Sequence, residues 1–183
     1  MIQEQDEGIL IHQMPYSETS RIITWLTKGH GIIRTLAKGA NRSKNPSFGV
    51  LDLFYQCQLS YRLSSKSGLA TLIHSNLVRN HGQFLSTYPK QLSALYCFEV
   101  IEVLVEKQTP VEDYYQLYLQ ALEYLETHET SWKLIERFER KALDFAGLNQ
   151  NTASLAGLRR TSYHCMPKSL KMLEAALPPL PSS

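Results

Sequence analysis

Along the first eighty residues apolar positions come in short runs and alternations; past Pro89 they recur every three or four residues. Gly8, Ile9, Leu10, Ile11 and His12 form a short apolar run. Residues 20–27 are rich in β-branched and aromatic side chains, which suit the pleated, half-buried surface of a strand. Lys28, Gly29, His30 and Gly31 follow, and the two glycines admit positive φ. Residues 32–38 therefore read as the return arm of a hairpin. Residues 39–46 read as a loop. In residues 51–62, Leu53, Tyr55, Cys57, Leu59 and Tyr61 fall on one face at period two. Residues 64–68 turn, and 69–75 complete the set. Five short strands separated by turn residues predict a small closed barrel.

The second half changes period. Leu92, Leu95, Tyr96, Glu99 and Val103 mark a helix within residues 89–107. Thr109, Pro110, Val111 and Glu112 read as a capping box with proline at the first helical position. Val111, Tyr114, Tyr118, Leu122 and Leu125 continue as an apolar stripe. Thr130 or Ser131 starts a third helix, faced by Ser131, Ile135, Phe138, Ala142 and Phe145 and stopped at Gly147. Residues 167–177 make a short fourth helix before a proline-rich end. The expectation is an α+β chain, with a β domain over residues 1–80 and a helical domain over 81–183.

Charge sharpens that division. The net charge is +2. Residues 1–18 carry four acids (Glu4, Asp6, Glu7, Glu18) and no Lys or Arg. Residues 19–98 carry ten bases and one acid, Asp52, for a net +9. The bases are Arg21, Lys28, Arg34, Lys38, Arg42, Lys44, Arg62, Lys66, Arg79 and Lys90. Residues 99–183 carry nine bases and twelve acids. A stretch so basic repels itself on folding, and a polyanionic partner explains its retention. Its bases lie among strand-like segments and not along one amphipathic helix, which disfavours a membrane surface.

Tyr16, Ser17 and Glu18, the block Thr19 to Thr27, Gly31, and then Ala37, Lys38, Gly39, Ala40, Asn41 and Arg42 resemble the N-terminal signature of the RecO family. Arg137, Phe138 and Glu139, with Gly147 at the helix end, are similar to its helical-domain pattern. The resemblance covers roughly residues 5–148. It implies an N-terminal OB-fold followed by an all-helical domain. It further implies binding of single- and double-stranded DNA, annealing of complementary strands, and help in loading the strand-exchange recombinase at gaps. The implied partners are RecR and the acidic C-terminal tail of single-stranded-DNA-binding protein (SSB). Many family members carry paired C-x-x-C cysteines, and this sequence has none.

OB barrels bind single strands through a basic groove and aromatic platforms. The basic candidates are Arg21, Arg34, Lys38, Arg42, Lys44, Arg62 and Lys66. The aromatic candidates are Trp25, Phe54, Tyr16 and Tyr61, each with burial in the barrel as its competing role. Phe54, on the opposite face from Tyr55 and Tyr61, is expected to be the exposed one. Arg137, Arg140 and Lys141 are the candidates for an acidic partner tail, with local ion pairing as the alternative.

Other classes find little support. There is no G-x-S-x-G elbow, H-E-x-x-H pair or phosphate-binding glycine pattern, so an enzyme is not expected. Six scattered histidines and the widely spaced Cys57, Cys97 and Cys165 show no metal-ligand spacing; neither metal nor cofactor is expected, and the thiols are expected to be reduced. No run of 18 or more apolar residues occurs, and the first residues are acidic and polar. A cytoplasmic, nucleoid-associated protein is expected. A protein-interaction adaptor and an RNA-binding OB-fold protein remain the alternatives.

Overall fold

The computed structural model describes residues 3–41, 51–63, 68–105, 111–148 and 168–177. Five strands come first: β1 (Gln3–Pro15), β2 (Arg21–Thr27), β3 (Gly31–Ala37), β4 (Tyr55–Arg62) and β5 (Leu69–Asn80). Four helices follow: α1 (Tyr88–Leu104), α2 (Glu112–Thr127), α3 (Trp132–Phe145) and α4 (Leu170–Ala176). The chain is thus α+β. It divides into two compact units, one of residues 1–83 with 107–115, the other of 84–106 with 116–183.

The strands of the first unit close into a barrel in the order β1-β2-β3-β5-β4. Every neighbouring pair is antiparallel except β3 with β5. One outward row can be followed across the wall: Met14 pairs Ile22, Ile22 pairs Leu36, Leu36 pairs Thr71, Thr71 pairs Arg62, and Arg62 pairs Gln3. The circuit leaves β1 at Met14 and returns to it at Gln3, and such a stagger is what tilts strands enough to close a small barrel.

β1 is far longer than its apolar run foretold. Its first half pairs with β4 and its second half with β2, overlapping at Gly8 and Ile9. Gln3 to Glu7 pair through backbone groups, which leave no hydrophobic signature. At the crossing, Gly8 faces Thr27 on one side and Cys57 on the other. A Cβ there would stand 2.8 Å from Leu59 Cδ1 and 3.0 Å from Thr27 Cγ2, so only glycine fits without displacement. An irregularity between Leu10 and His12 then bends the strand, as bulges do in barrels.

Leu10, Ile23, Trp25, Ile33, Ala37, Cys57, Leu59, Tyr61, Ala70 and Leu72 fill the barrel, with Leu51 at one end. The alternation expected on β4 holds for Cys57, Leu59 and Tyr61 but begins only at Tyr55. Leu53 and Phe54 precede the strand.

In the second unit α1 packs against α3 and α4. Most of α1 is buried, so its expected single face is broader than the sequence suggested. The α2 stripe is buried as read, from Tyr118 through Leu122 to Leu125. Thr109 and Pro110 of the expected capping box lie outside the described residues. Ser131 caps α3, its hydroxyl accepting from the Leu134 N–H at 3.4 Å. At the other end Gly147 takes φ 68°; its N–H donates to Asp144 and that of Leu148 to Leu143, a Schellman stop. Phe145, expected on the buried face, is exposed; Leu143, two residues earlier, is buried instead. α4 is anchored by Ser169, whose N–H and hydroxyl both donate to Glu99 Oε2, at 3.0 and 2.6 Å. No helix among the described residues is long and apolar enough to cross a membrane.

Candidate nucleic-acid interface

The basic candidates of the barrel do not all meet. Arg34 and Lys38 are exposed and flank Leu36 along β3 and its exit turn. Alternation puts Arg34 on the outer wall, between buried Ile33 and Thr35, and Lys38 is exposed in the turn just past the end of the strand. Arg34 reaches across β2, its Nη2 lying 3.8 Å from Met14 Sδ on β1. Arg62 is also exposed and outward, but β5 separates its strand from β3. In a barrel of five strands that is two-fifths of the way round. Arg42, Lys44 and Lys66 lie outside the described residues.

Arg21 is already occupied. Its Nε donates to Asn41 Oδ1 and its Nη1 to Gln13 Oε1 at 2.8 Å. Asn41 also donates from Nδ2 to the Glu18 carbonyl at 3.1 Å, and its N–H donates to the Thr19 carbonyl at 3.1 Å. Gly39 N–H donates to Ser20 Oγ at 3.4 Å. These bonds tie the β1–β2 turn to the β3 exit turn. Arg21 is a strut of this junction, a role with no local signature because its partners lie 8 and 20 residues away.

Two aromatic expectations are overturned. Trp25 is fully buried and its indole N–H donates to Thr35 Oγ1 at 2.8 Å, so neither its face nor its polar edge is available to a base. Phe54 is also buried. It was expected outside because strand alternation was extended through it, but β4 starts one residue later and Phe54 turns with φ 63°. That left-handed backbone is held by its N–H donating to Leu10 at 2.7 Å and its carbonyl accepting from His81 at 3.3 Å. Tyr61 is buried too, while Tyr16 is 60% exposed.

Two acids of β1, Asp6 and Glu7, are engaged by donors. Asp6 Oδ1 accepts from the Glu7 N–H at 2.8 Å and the Gly29 N–H at 3.0 Å. Asp6 Oδ2 and the Tyr61 hydroxyl lie 3.0 and 2.9 Å from His30 Nδ1. Burial, then the charges of Asp6 and Glu4, push the Tyr61 phenol well up, so it stays a neutral hydroxyl. Glu7 accepts from Gln56 at 2.9 Å, Gln58 at 2.7 Å and Tyr115 at 2.8 Å. Lys28 pairs with Glu112 at 3.1 Å. Among the described residues no group of three or more His, Cys, Asp or Glu is placed to hold a metal ion.

A second feature sits between α2 and α3. A groove of about 410 Å³ has Leu117, Ala121, Leu134 and Phe138 on its floor. Lys133, Arg137 and Lys141 stand along it at four-residue spacing, and Tyr124 borders it. Two of the three expected tail-binding residues, Arg137 and Lys141, are thus brought together. Arg140 is exposed but does not line the groove. Lys133 was missed, although its i, i+4, i+8 relation to Arg137 and Lys141 was legible.

Comparison with known proteins matches both halves of the chain. The family described as recombination protein O, N terminal, matches residues 1–81, and recombination protein O, C terminal, matches residues 85–162. The chain is 36% identical over 156 residues to DNA repair protein RecO of Actinobacillus pleuropneumoniae serotype 7, covering 82% of this chain and 62% of that protein. It is 29% identical over 167 residues to DNA repair protein RecO of Nitrosospira multiformis, covering 89% and 67%. It is 32% identical over 143 residues to that of Burkholderia pseudomallei, covering 78% and 50%. The chain therefore spans about half to two-thirds of the length of these relatives. With both halves matched in order, the chain belongs to the recombination protein O family of DNA repair proteins.

Proposed function

We propose that the protein is a non-catalytic mediator of recombinational repair, whose barrel binds single- and double-stranded DNA and promotes annealing of complementary strands. The strand order, the single parallel pair and the strong stagger support reading the barrel as an OB-fold. The observation that carries the proposal is the exposure of Arg34 on β3 and of Lys38 just past its end, while Asp6 and Glu7 are tied up internally by donors. Annealing needs no reacting group. It needs phosphate repulsion between strands relieved by contacts blind to sequence.

In the helical unit, the groove lined by Lys133, Arg137 and Lys141 has the chemistry for a peptide that is acidic and apolar at once. The acidic C-terminal tail of SSB is the proposed occupant, and recombinase loading on SSB-coated gaps, with RecR as a further partner, is the proposed setting. The location that fits is cytoplasmic and nucleoid-associated. A strand-annealing assay on naked and SSB-coated complementary oligonucleotides tests this. Acceleration of annealing on both is expected; no acceleration on either overturns the proposal.

A further inference from the structure

We propose that Tyr16 is the base-stacking platform of the barrel, so that an unpaired base of single-stranded DNA lies on the β1–β2 turn while its flanking phosphates lie on Arg34 and Lys38. The inference rests on the nucleic-acid reading above and adds the residue that tells a single strand from a bare phosphate chain.

Four observations carry it. First, Trp25, Phe54 and Tyr61 are buried, whereas Tyr16 is 60% exposed. Second, the turn is already ordered: the Tyr16 and Ser17 N–H groups donate to the Ser20 carbonyl at 2.9 and 3.2 Å, and the Asn41 bonds hold the turn to the β3 exit. A ring mounted on ordered backbone has little conformational entropy left to lose on binding. Third, exposed Met14 lies two residues before Tyr16, with the Arg34 guanidinium against its sulfur. An apolar strip thus runs from the turn toward the cations. Fourth, Glu18 is exposed in the same turn. Its carboxylate repels phosphate there but leaves the uncharged face of a base unopposed. Phosphates go to the cations of β3, and the base goes to the ring.

The test is fluorescence anisotropy of the full chain, wild type and variants, on a labelled oligodeoxythymidylate and on an abasic oligomer with the same number of phosphates. Stacking of one base predicts that Tyr16→Ala weakens thymidylate binding roughly 5- to 150-fold, the equivalent of about 1–3 kcal/mol. Abasic binding and the salt slope stay as in wild type, and Tyr16→Phe binds like wild type. Equal weakening on both oligomers, no weakening on either, or loss in Tyr16→Phe overturns the inference. If wild type binds neither oligomer, the nucleic-acid reading itself fails. If wild type binds both and only Arg34→Ala with Lys38→Ala weakens it, that reading stands and the platform falls.

Discussion

The indole N–H of Trp25 donates to the Thr35 hydroxyl at 2.8 Å across the β2–β3 ladder, with both residues fully buried. This bond lets the barrel bury its largest side chain without leaving a donor unpaired. Thr35→Val keeps the shape and removes the acceptor. An unsatisfied buried N–H is worth about 1–3 kcal/mol, so the variant is expected to lose stability by that order. Urea unfolding at neutral pH measures it; a midpoint equal to wild type refutes the role given to the bond.

Cys57 is a second consequence of the packed barrel. Burial pushes its thiol up to about 12. In the unfolded chain the thiol ionises near its ordinary value, about 8.5. The neutral thiol is thus favoured by folding, and the associated stability is complete below about pH 8.5 and is lost as pH rises from there toward 12. Wild type is expected to lose more stability between pH 8 and pH 10.5 than Cys57→Ala does. Parallel losses in the two proteins, followed by urea midpoints, count against it.

These two residues show how far the sequence could be read. The period-two face of β4 and the helical stripe of α2 were legible because burial of apolar groups leaves a periodic trace. The polar first half of β1 left none, because its pairing with β4 is made by backbone groups common to all residues. Phe54 was misplaced for a related reason. Alternation says which face a residue occupies only while the strand lasts, and the turn at φ 63° ends it. For the candidate site, sequence identified Arg34 and Lys38 as cations on a strand. It could not show Arg21 bound to Asn41 and Gln13, or Arg62 two strands round the barrel from β3. Both follow from which strands are neighbours.

The Arg34–Lys38 pair is expected to act through phosphate neutralisation. Each single-strand phosphate contact contributes about 0.7 to the slope of log affinity against log salt. Replacing both with alanine should lower that slope by about 1.4 and weaken binding most at low salt. Arg21→Ala should behave differently, because it releases the turn junction: it should reduce stability first and affinity second. Affinity titrations from low to physiological salt, paired with thermal unfolding, separate the two. An unchanged slope in the double variant removes these residues from the interface.

The groove between α2 and α3 gives the sharpest contrast between neighbouring cations. Lys133, Arg137 and Lys141 line it and Arg140 does not, although all four lie within nine residues of one helix. Charge alone would make them equivalent, since a screened surface cation attracts an acidic peptide from any side of a helix. Seating beside an apolar floor makes them different. A cation next to Leu134 and Phe138 meets its carboxylate partner away from water, where a charge-assisted hydrogen bond is stronger. Arg137→Ala and Lys133→Ala are therefore expected to weaken binding of a synthetic acidic peptide with an apolar end by about tenfold each, or about 1.4 kcal/mol. Arg140→Ala should change it less than twofold. Isothermal titration of the full chain with that peptide decides the matter. Equal losses in all three variants would mean that the helix attracts the peptide only through its overall charge, and the groove would lose its role as the seat.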